Sequence, residues 1–434
     1  MLSNKMQIEY LHPGKLKDHI RQLRTPTDQQ IAKTIRLIEE FGIPQPVVID
    51  QNNTIIIGWH FVEAARQMKL GDIPIIRADH LDEHQVRALR VAYDRIAEEA
   101  KWNKEELAKE FLDLEVHFDD LTITGFDIGE IDLTLDIIED DNGEDDITPH
   151  LDGPTVTQTG DVWILGNHRL ICGDALEEET YKTLLQDERA QMCITDAPYN
   201  VKIDAHVLKL NKTKHPEFEM ASGEMTPDEF TEFLTTPHQH MATYSKKGAL
   251  VFSCMDWRHI PEIMAAATKA ELSMINLCVW VKDNGGMGSL YRSQHELVFV
   301  FKNGDGKHIN NVELGKHGRY RTNVWQYAGA NSFSSDRMND LEMHPTVKPV
   351  AMFMDAIKDC SRRNGIVLDP FGGSGTTLIA AEKAGRKARL IEISPHYCDV
   401  TIRRWQALKD QDAIHASTGK TFNETENMKG KDNE

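Results

Sequence analysis

Val367-Leu368-Asp369-Pro370-Phe371-Gly372-Gly373-Ser374-Gly375-Thr376-Thr377 decides the fold. The apolar run from Gly365 to Leu368 predicts a short buried strand. Three glycines follow within four residues, and then Thr376 to Gly385 predicts a helix with Leu378, Ile379, Ala381 and Ala384 on its apolar positions. Such a turn lets backbone come close to a ligand, and the helix start offers free N–H groups. About 20 residues beyond the turn, Arg389-Leu390-Ile391-Glu392 predicts a second strand that ends in an acid. A carboxylate there accepts hydrogen bonds from ribose hydroxyls in dinucleotide-type βαβ units. The turn lacks the lysine of a phosphate loop and the G-x-G-x-x-G spacing, so the ligand it suits has a ribose and no phosphate. S-adenosylmethionine answers that description. The plain alternative is a strand–helix connection with no ligand.

A second stretch, Thr195-Asp196-Ala197-Pro198-Tyr199-Asn200, follows the apolar run Met192 to Ile194 and so sits at the C-terminal end of a strand. In an open α/β sheet that edge binds ligands. A carboxylate and a backbone carbonyl accept hydrogens from an exocyclic amine, a proline stiffens the turn, and an aromatic ring stacks on a base. Here the chain resembles the amino-methylating DNA methyltransferases, whose motif is usually Asp-Pro-Pro-Tyr; Ala197 stands in place of the first proline. Asp196 precedes the glycine turn by about 170 residues, and His344-Pro345-Thr346-Val347-Lys348-Pro349 lies between them. That order resembles the permuted β-class, over roughly residues 160–408.

The resemblance implies an α/β fold: a Rossmann-like S-adenosylmethionine-dependent methyltransferase sheet. It implies that Asp196, Ala197, Pro198 and Tyr199 are catalytic. Asp174, Asp369, Phe371, Gly373, Gly375, Glu392 and Lys348 would line the S-adenosylmethionine site. Double-stranded DNA would be the partner, with a homodimer one assembly open to it.

The 434 residues suit two or three domains. No apolar run approaches a membrane span, and the first residues do not form a signal peptide, so a cytoplasmic protein with no membrane partner is expected. The six cysteines contain no C-x-x-C pair, and no Cys or His cluster has zinc-ligand spacing, so no metal is expected. Net charge is −20, and 16 of those negative charges fall in residues 1–154, which hold 16 basic and 32 acidic residues. The remainder is nearly neutral and can carry a local basic cleft; the N-terminal part is a poor candidate for non-specific DNA binding.

Residues 1–135 alternate helix and strand patterns: Thr27 to Phe41, Val47 to Asp50, Thr54 to Ile57, Gly58 to Met68 and Ile73 to Arg77. Phe41-Gly42-Ile43, Pro46 to Asp50, Ile55 to Gly58 and Val62 to Arg66 resemble a smaller α+β ParB-like domain. That family usually has an arginine after the glycine; Trp59-His60-Phe61 stand there instead, which favours a scaffold or docking role as much as a ligand site. The acidic run at 136–158 reads as a linker. Residues 159–412 read as the methyltransferase domain, opened by Gly160 to Asp174, with Asp174 facing adenine, capping the next helix, or doing both at once. Loops at about 284–343 carry Lys307, Lys316, Arg319, Arg321, Arg337, Tyr320 and Trp325 and suit target recognition. Residues 413–434 read as a disordered tail.

The leading function is a site-specific DNA methyltransferase acting on the amine of a flipped base, adenine N6 first and cytosine N4 second. Cytosine C5 needs a thiol nucleophile, and no Pro-Cys pair is present. A catalytically dead DNA-binding regulator, or an enzyme acting on an RNA or protein amine, are the other readings.

Overall fold

The computed structural model describes residues 7–432 except 22, 25, 140–154, 202–220, 222, 284, 286–289, 316–318 and 329–347. The polar loop at 202–220, most of the acidic run, and much of the 284–343 stretch, Lys316 and Arg337 included, therefore lie outside the described residues. The chain divides into two compact units, residues 1–139 and 140–434.

The first unit contains β1 (Ile8–Leu11), α1 (Asp28–Phe41), β2 (Val47–Ile49), β3 (Ile55–Ile57), α2 (Trp59–Gln67), β4 (Ile73–Arg77), α3 (Glu83–Glu99), α4 (Lys104–Glu115) and α5 (Ile128–Glu139). Its sheet runs β1-β4-β2-β3. Thr27 caps α1 through the amide of Gln30, and Ile31, Thr34 and Ile38 bury one helical stripe against Val47, Ile49, Phe61, Val62 and Ile75. Trp59 donates its indole N–H to Asp18 at 3.0 Å, and Arg66 also meets Asp18, so the residues after Gly58 are tied into the unit's own framework. Helix α5 carries this unit four residues past the expected boundary at 135.

The second unit contains β5 (Val162–Leu165), β6 (His168–Cys172), α6 (Glu178–Leu185), β7 (Ala190–Thr195), α7 (Pro227–Tyr244), β8 (Ser245–Met255), α8 (Ile260–Lys269), β9 (Leu272–Val281) and β10 (His295–Asn303). It continues with β11 (Val324–Gln326), α9 (Val350–Cys360), β12 (Ile366–Asp369), α10 (Thr376–Lys383), β13 (Lys387–Glu392), α11 (Pro395–Lys409), β14 (Ile414–His415) and α12 (Phe422–Asp432). Among the described residues these form one sheet in the order β11-β9-β10-β8-β7-β12-β13-β6-β5-β14. The stretch β8-β7-β12-β13-β6 is parallel throughout. These strands are apolar on both faces because helices cover both, and two buried clusters lie on either side of them.

Three sequence expectations are corrected. Of the expected disordered tail at 413–434, the described residues 413–432 are ordered: β14 pairs with β5, and Phe422 is fully buried with its ring 5.4 Å from that of Trp163. Lys429 donates to the carbonyl of Val156 at 2.6 Å, and Asp399 of α11 accepts from the amides of Val156 and Thr157. The end of the expected linker therefore packs on the second unit. Asp174 does not cap α6, whose first turn follows Glu177; its carboxylate accepts from the Leu176 amide in a tight turn instead. Arg319, Arg321 and Trp325 are not free for DNA. Both arginines pair with Asp355 and Asp359, one helical turn apart on α9, and Trp325 is buried in the core.

Candidate active site

Parallel strands place their C-terminal ends on one edge, and this edge collects acids. Asp196 follows β7, Asp369 ends β12, Glu392 ends β13 and Asp174 follows β6, on four adjacent strands.

The glycine turn is built around two of them. Gly373 and Gly375 have φ of 52° and 87°, left-handed values that a side chain resists. A Cβ on Gly375 would also sit 2.7 Å from the Thr401 methyl on α11. The Glu392 carboxylate accepts the amide of Gly373 at 2.8 Å on one oxygen and that of Ser394 at 2.9 Å on the other. The acid that ends β13 thus holds the turn that follows β12. Asp369 accepts from the amide of Phe371 and the hydroxyl of Thr377, and burial pushes its carboxyl up to about 7. Phe371 is half-buried beside Phe233, ring centroids 5.9 Å apart.

The neighbouring half is organised by charge. Lys348, just ahead of α9 and only 4 % exposed, donates to Asp196 Oδ2 at 2.6 Å. The Tyr199 hydroxyl donates to Asp196 Oδ1 at 2.8 Å and lies 3.2 Å from Glu296 Oε2. Lys348 also meets Glu296 Oε2 at 3.3 Å, and Lys282 pairs with Glu296 Oε1. Topology explains the meeting. β10 runs antiparallel to β8 and β9, so its first residues, and Lys282 just past the end of β9, reach the same edge as Asp196.

The protonation pattern follows from the pairing. Burial would push the Lys348 ammonium down, but Asp196 and Glu296 outweigh it and keep the group charged. Burial would push Glu296 up, yet Lys348 and Lys282 hold it down at about 2. Asp196 lies above the ordinary aspartate value: burial and Glu296 raise it, and Lys348 pulls it back in part.

The structure thus brings Asp196, Ala197, Pro198, Tyr199, Asp369, Phe371, Gly373, Gly375, Glu392 and Asp174 to one edge. Lys348 stands against Asp196; no contact of its side chain with the glycine turn is seen among the described residues. Glu296 and Lys282 were not singled out from the sequence for any role at this site. No local motif marks them, and only the antiparallel β9–β10 pairing brings them in. Among the described residues, no group of His, Cys, Asp or Glu side chains is arranged to hold a metal ion, and no helix is long and apolar enough to cross a membrane.

A family model described as DNA methylase matches residues 190–403, which takes in β7 through α11 and both motifs. A protein of Escherichia coli K12 named "Putative methylase YubD" is 30 % identical over 174 residues, 39 % of this chain and 67 % of that protein. The chain belongs to the DNA methylase family. As a member it is an enzyme, a methyltransferase of the group that modifies amines of DNA bases. Over 84 residues, 19 % of the chain, it is 32 % identical to 97 % of the ParB-like nuclease domain-containing protein YnaK of the same organism; this ParB-like similarity is partial. The crystal structure of the M1.HpyAVI–SAM complex aligns with a TM-score of 0.41 at 21 % identity, over 54 % of this chain and 97 % of that one.

Proposed function

We propose that this DNA methylase moves a methyl group from S-adenosylmethionine to the exocyclic amine of a base flipped out of double-stranded DNA. Adenine N6 is the first target and cytosine N4 the second, since one acceptor geometry serves either amine. The observation that carries the reading is the placement of Asp196 at the end of β7, beside the glycine turn at the end of the adjacent β12.

The donor set fits the cofactor. Glu392 is a buried carboxylate acceptor at the end of β13, the group that suits vicinal ribose hydroxyls. The left-handed turn at Gly373 and Gly375 and the residues Asp369, Phe371 and Asp174 lie along the same edge. When bound, S-adenosylmethionine supplies an electrophilic methyl group. The residues supply the rest. An aromatic amine is a poor nucleophile because its lone pair is delocalised into the ring. The Asp196 carboxylate and the Ala197 carbonyl accept its two hydrogens and favour a tetrahedral nitrogen. Both acceptors act most strongly as positive charge develops on nitrogen, so they favour the transition state over the ground state. Lys348 lies 5.3 Å from the centroid of the Tyr199 ring, so a base stacking on Tyr199 takes the face turned away from the ammonium.

The test is transfer of labelled methyl groups to genomic DNA from a methylase-free host, followed by nucleoside analysis. N6-methyladenine supports the first target, and N4-methylcytosine replaces it with the second. No label on DNA overturns the reading.

A further inference from the structure

We propose that Glu296 is a positioning residue for this methyl transfer: it pairs with Lys348 and stands as a second acceptor beside the Tyr199 hydroxyl, the two groups that touch Asp196, and so fixes how that carboxylate faces the amine. The inference rests on the reading of Asp196 as the amine acceptor.

The geometry carries it. The two groups on Asp196, one on each oxygen, converge on a single atom, Glu296 Oε2, at 3.3 and 3.2 Å. The other oxygen of Glu296 is taken by Lys282, whose ammonium lies 4.6 Å from the centroid of the Trp280 ring. The result is an alternating row, Lys282, Glu296, Lys348, Asp196, in which every charge has an opposite neighbour. Such a row is rigid, because moving one member unpairs another away from bulk water. Tyr199 has one proton to donate, and the shorter contact assigns it to Asp196. Glu296 Oε2, at 3.2 Å, is the second acceptor open to that proton, so the hydroxyl can turn from Asp196 to Glu296 when a flipped base shifts the ring.

The groups that face Asp196 are Lys348, Tyr199 and Glu296, with Cys254 of β8 and Asp369 of β12 alongside and Lys282 behind Glu296. Removing the Glu296 charge leaves Lys348 a single carboxylate partner. The ammonium then binds Asp196 more closely and weakens it as an acceptor for the amine. The same loss makes Asp196 easier to ionise, because a neighbouring negative charge is gone.

The experiment compares the full-length protein with its Glu296→Gln and Glu296→Asp variants. Labelled methyl transfer is followed from S-adenosylmethionine to genomic DNA from a methylase-free host, across pH, with cofactor affinity measured by calorimetry. For Glu296→Gln, kcat should fall about tenfold to a hundredfold, the scale of one charge-assisted contact. Cofactor affinity should stay within about twofold, and the acid limb of the pH–rate profile should move to lower pH. Glu296→Asp keeps the charge and should recover much of the rate. Unchanged kcat, an unmoved acid limb, or no recovery in Glu296→Asp overturns the inference. Asp196→Asn separates the two levels. If it lowers transfer strongly while Glu296→Gln leaves kcat and the acid limb unchanged, the inference falls and the reading of Asp196 stands. If Asp196→Asn is fully active, the reading falls and takes the inference with it.

Discussion

The two halves of the candidate site share one sheet edge and are held by opposite means. Around the glycine turn, backbone does the holding: Glu392 accepts the amides of Gly373 and Ser394, and Asp369 accepts that of Phe371. Around Asp196, side-chain charge does it, with Lys348 and Glu296 drawn from distant segments. A half built on backbone depends on shape and should fail through conformation and binding. A half built on charge should fail through rate and pH.

The largest effect is expected on the charged half. Asp196→Asn keeps one acceptor and loses the negative charge beside Lys348. Transfer should fall about a hundredfold to a thousandfold in kcat, the usual loss when one preorganised electrostatic group is removed. Calorimetry should find cofactor affinity within about twofold of the original. A large loss of affinity instead would show that the two halves are not separable.

Gly375→Ala attacks the other half through its backbone. The residue sits at φ 87°, and the added methyl meets Thr401 at 2.7 Å. Left-handed strain is worth about 1–2 kcal/mol and the contact adds to it, so a loss of about 2–3 kcal/mol in unfolding free energy is expected. Chemical denaturation measures it; wild-type stability would mean that the turn relaxes freely.

These two halves also differ in how far the sequence revealed them. The strand, the glycine turn, the helix and the acid on β13 lie within about 30 consecutive residues and are local in kind, so Gly373, Gly375 and Glu392 were legible in order. The Asp196 stretch was legible for the same reason. The stretch around Lys348 was legible as a motif, while its contact with Asp196, 152 positions away, was not. Glu296 sits at the start of a strand whose antiparallel run against β8 is a tertiary fact. The C-terminal segment misled because its composition is polar, while the pairing of β14 with β5, Phe422 on Trp163 and Lys429 on Val156 are tertiary contacts. Arg319 and Arg321 misled in the opposite sense: basic residues in an aperiodic stretch suggested DNA, while Asp355 and Asp359 on α9 had already claimed them.

Smaller effects sharpen the contrast. Glu392→Gln keeps an acceptor oxygen for only one of the Gly373 and Ser394 amides, turns its NH2 toward the other, and removes the charge. Cofactor affinity should weaken by about tenfold, the scale of one charge-assisted hydrogen bond. The kcat at saturating cofactor should hold, and a fall in kcat with unchanged affinity would reverse the assignment of the two halves. Asp369 offers a pH test. Its carboxyl is pushed up to about 7 in the folded chain, well above the unfolded value. The folded state therefore holds that proton more tightly, and stability contributed below about pH 4 is lost as pH rises toward 7. Asp369→Asn cannot titrate, so its melting temperature relative to wild type, without cofactor, should rise between pH 5 and pH 8. A constant difference would refute the burial effect.

The smallest expected effect is at Ala197, where this chain departs from the usual proline. Ala197 is 5 % exposed, and its backbone is not in the left-handed region. Among the described residues its N–H donates no backbone hydrogen bond, so proline would remove none of these. The proposed role of position 197 is a carbonyl acceptor, which proline keeps. Asp196 before it follows a strand end, and the residue ahead of a proline favours such extended backbone. Proline at a compatible site stabilises by about 0.4–1 kcal/mol, chiefly by restricting the unfolded chain. Ala197→Pro should therefore raise stability by that amount and leave methyl transfer equal or slightly higher. Denaturation and labelled transfer, run together, check both. A clear loss of transfer with intact folding would mean that the charged half needs freedom at this turn, so that Tyr199 can release Asp196 when a base enters.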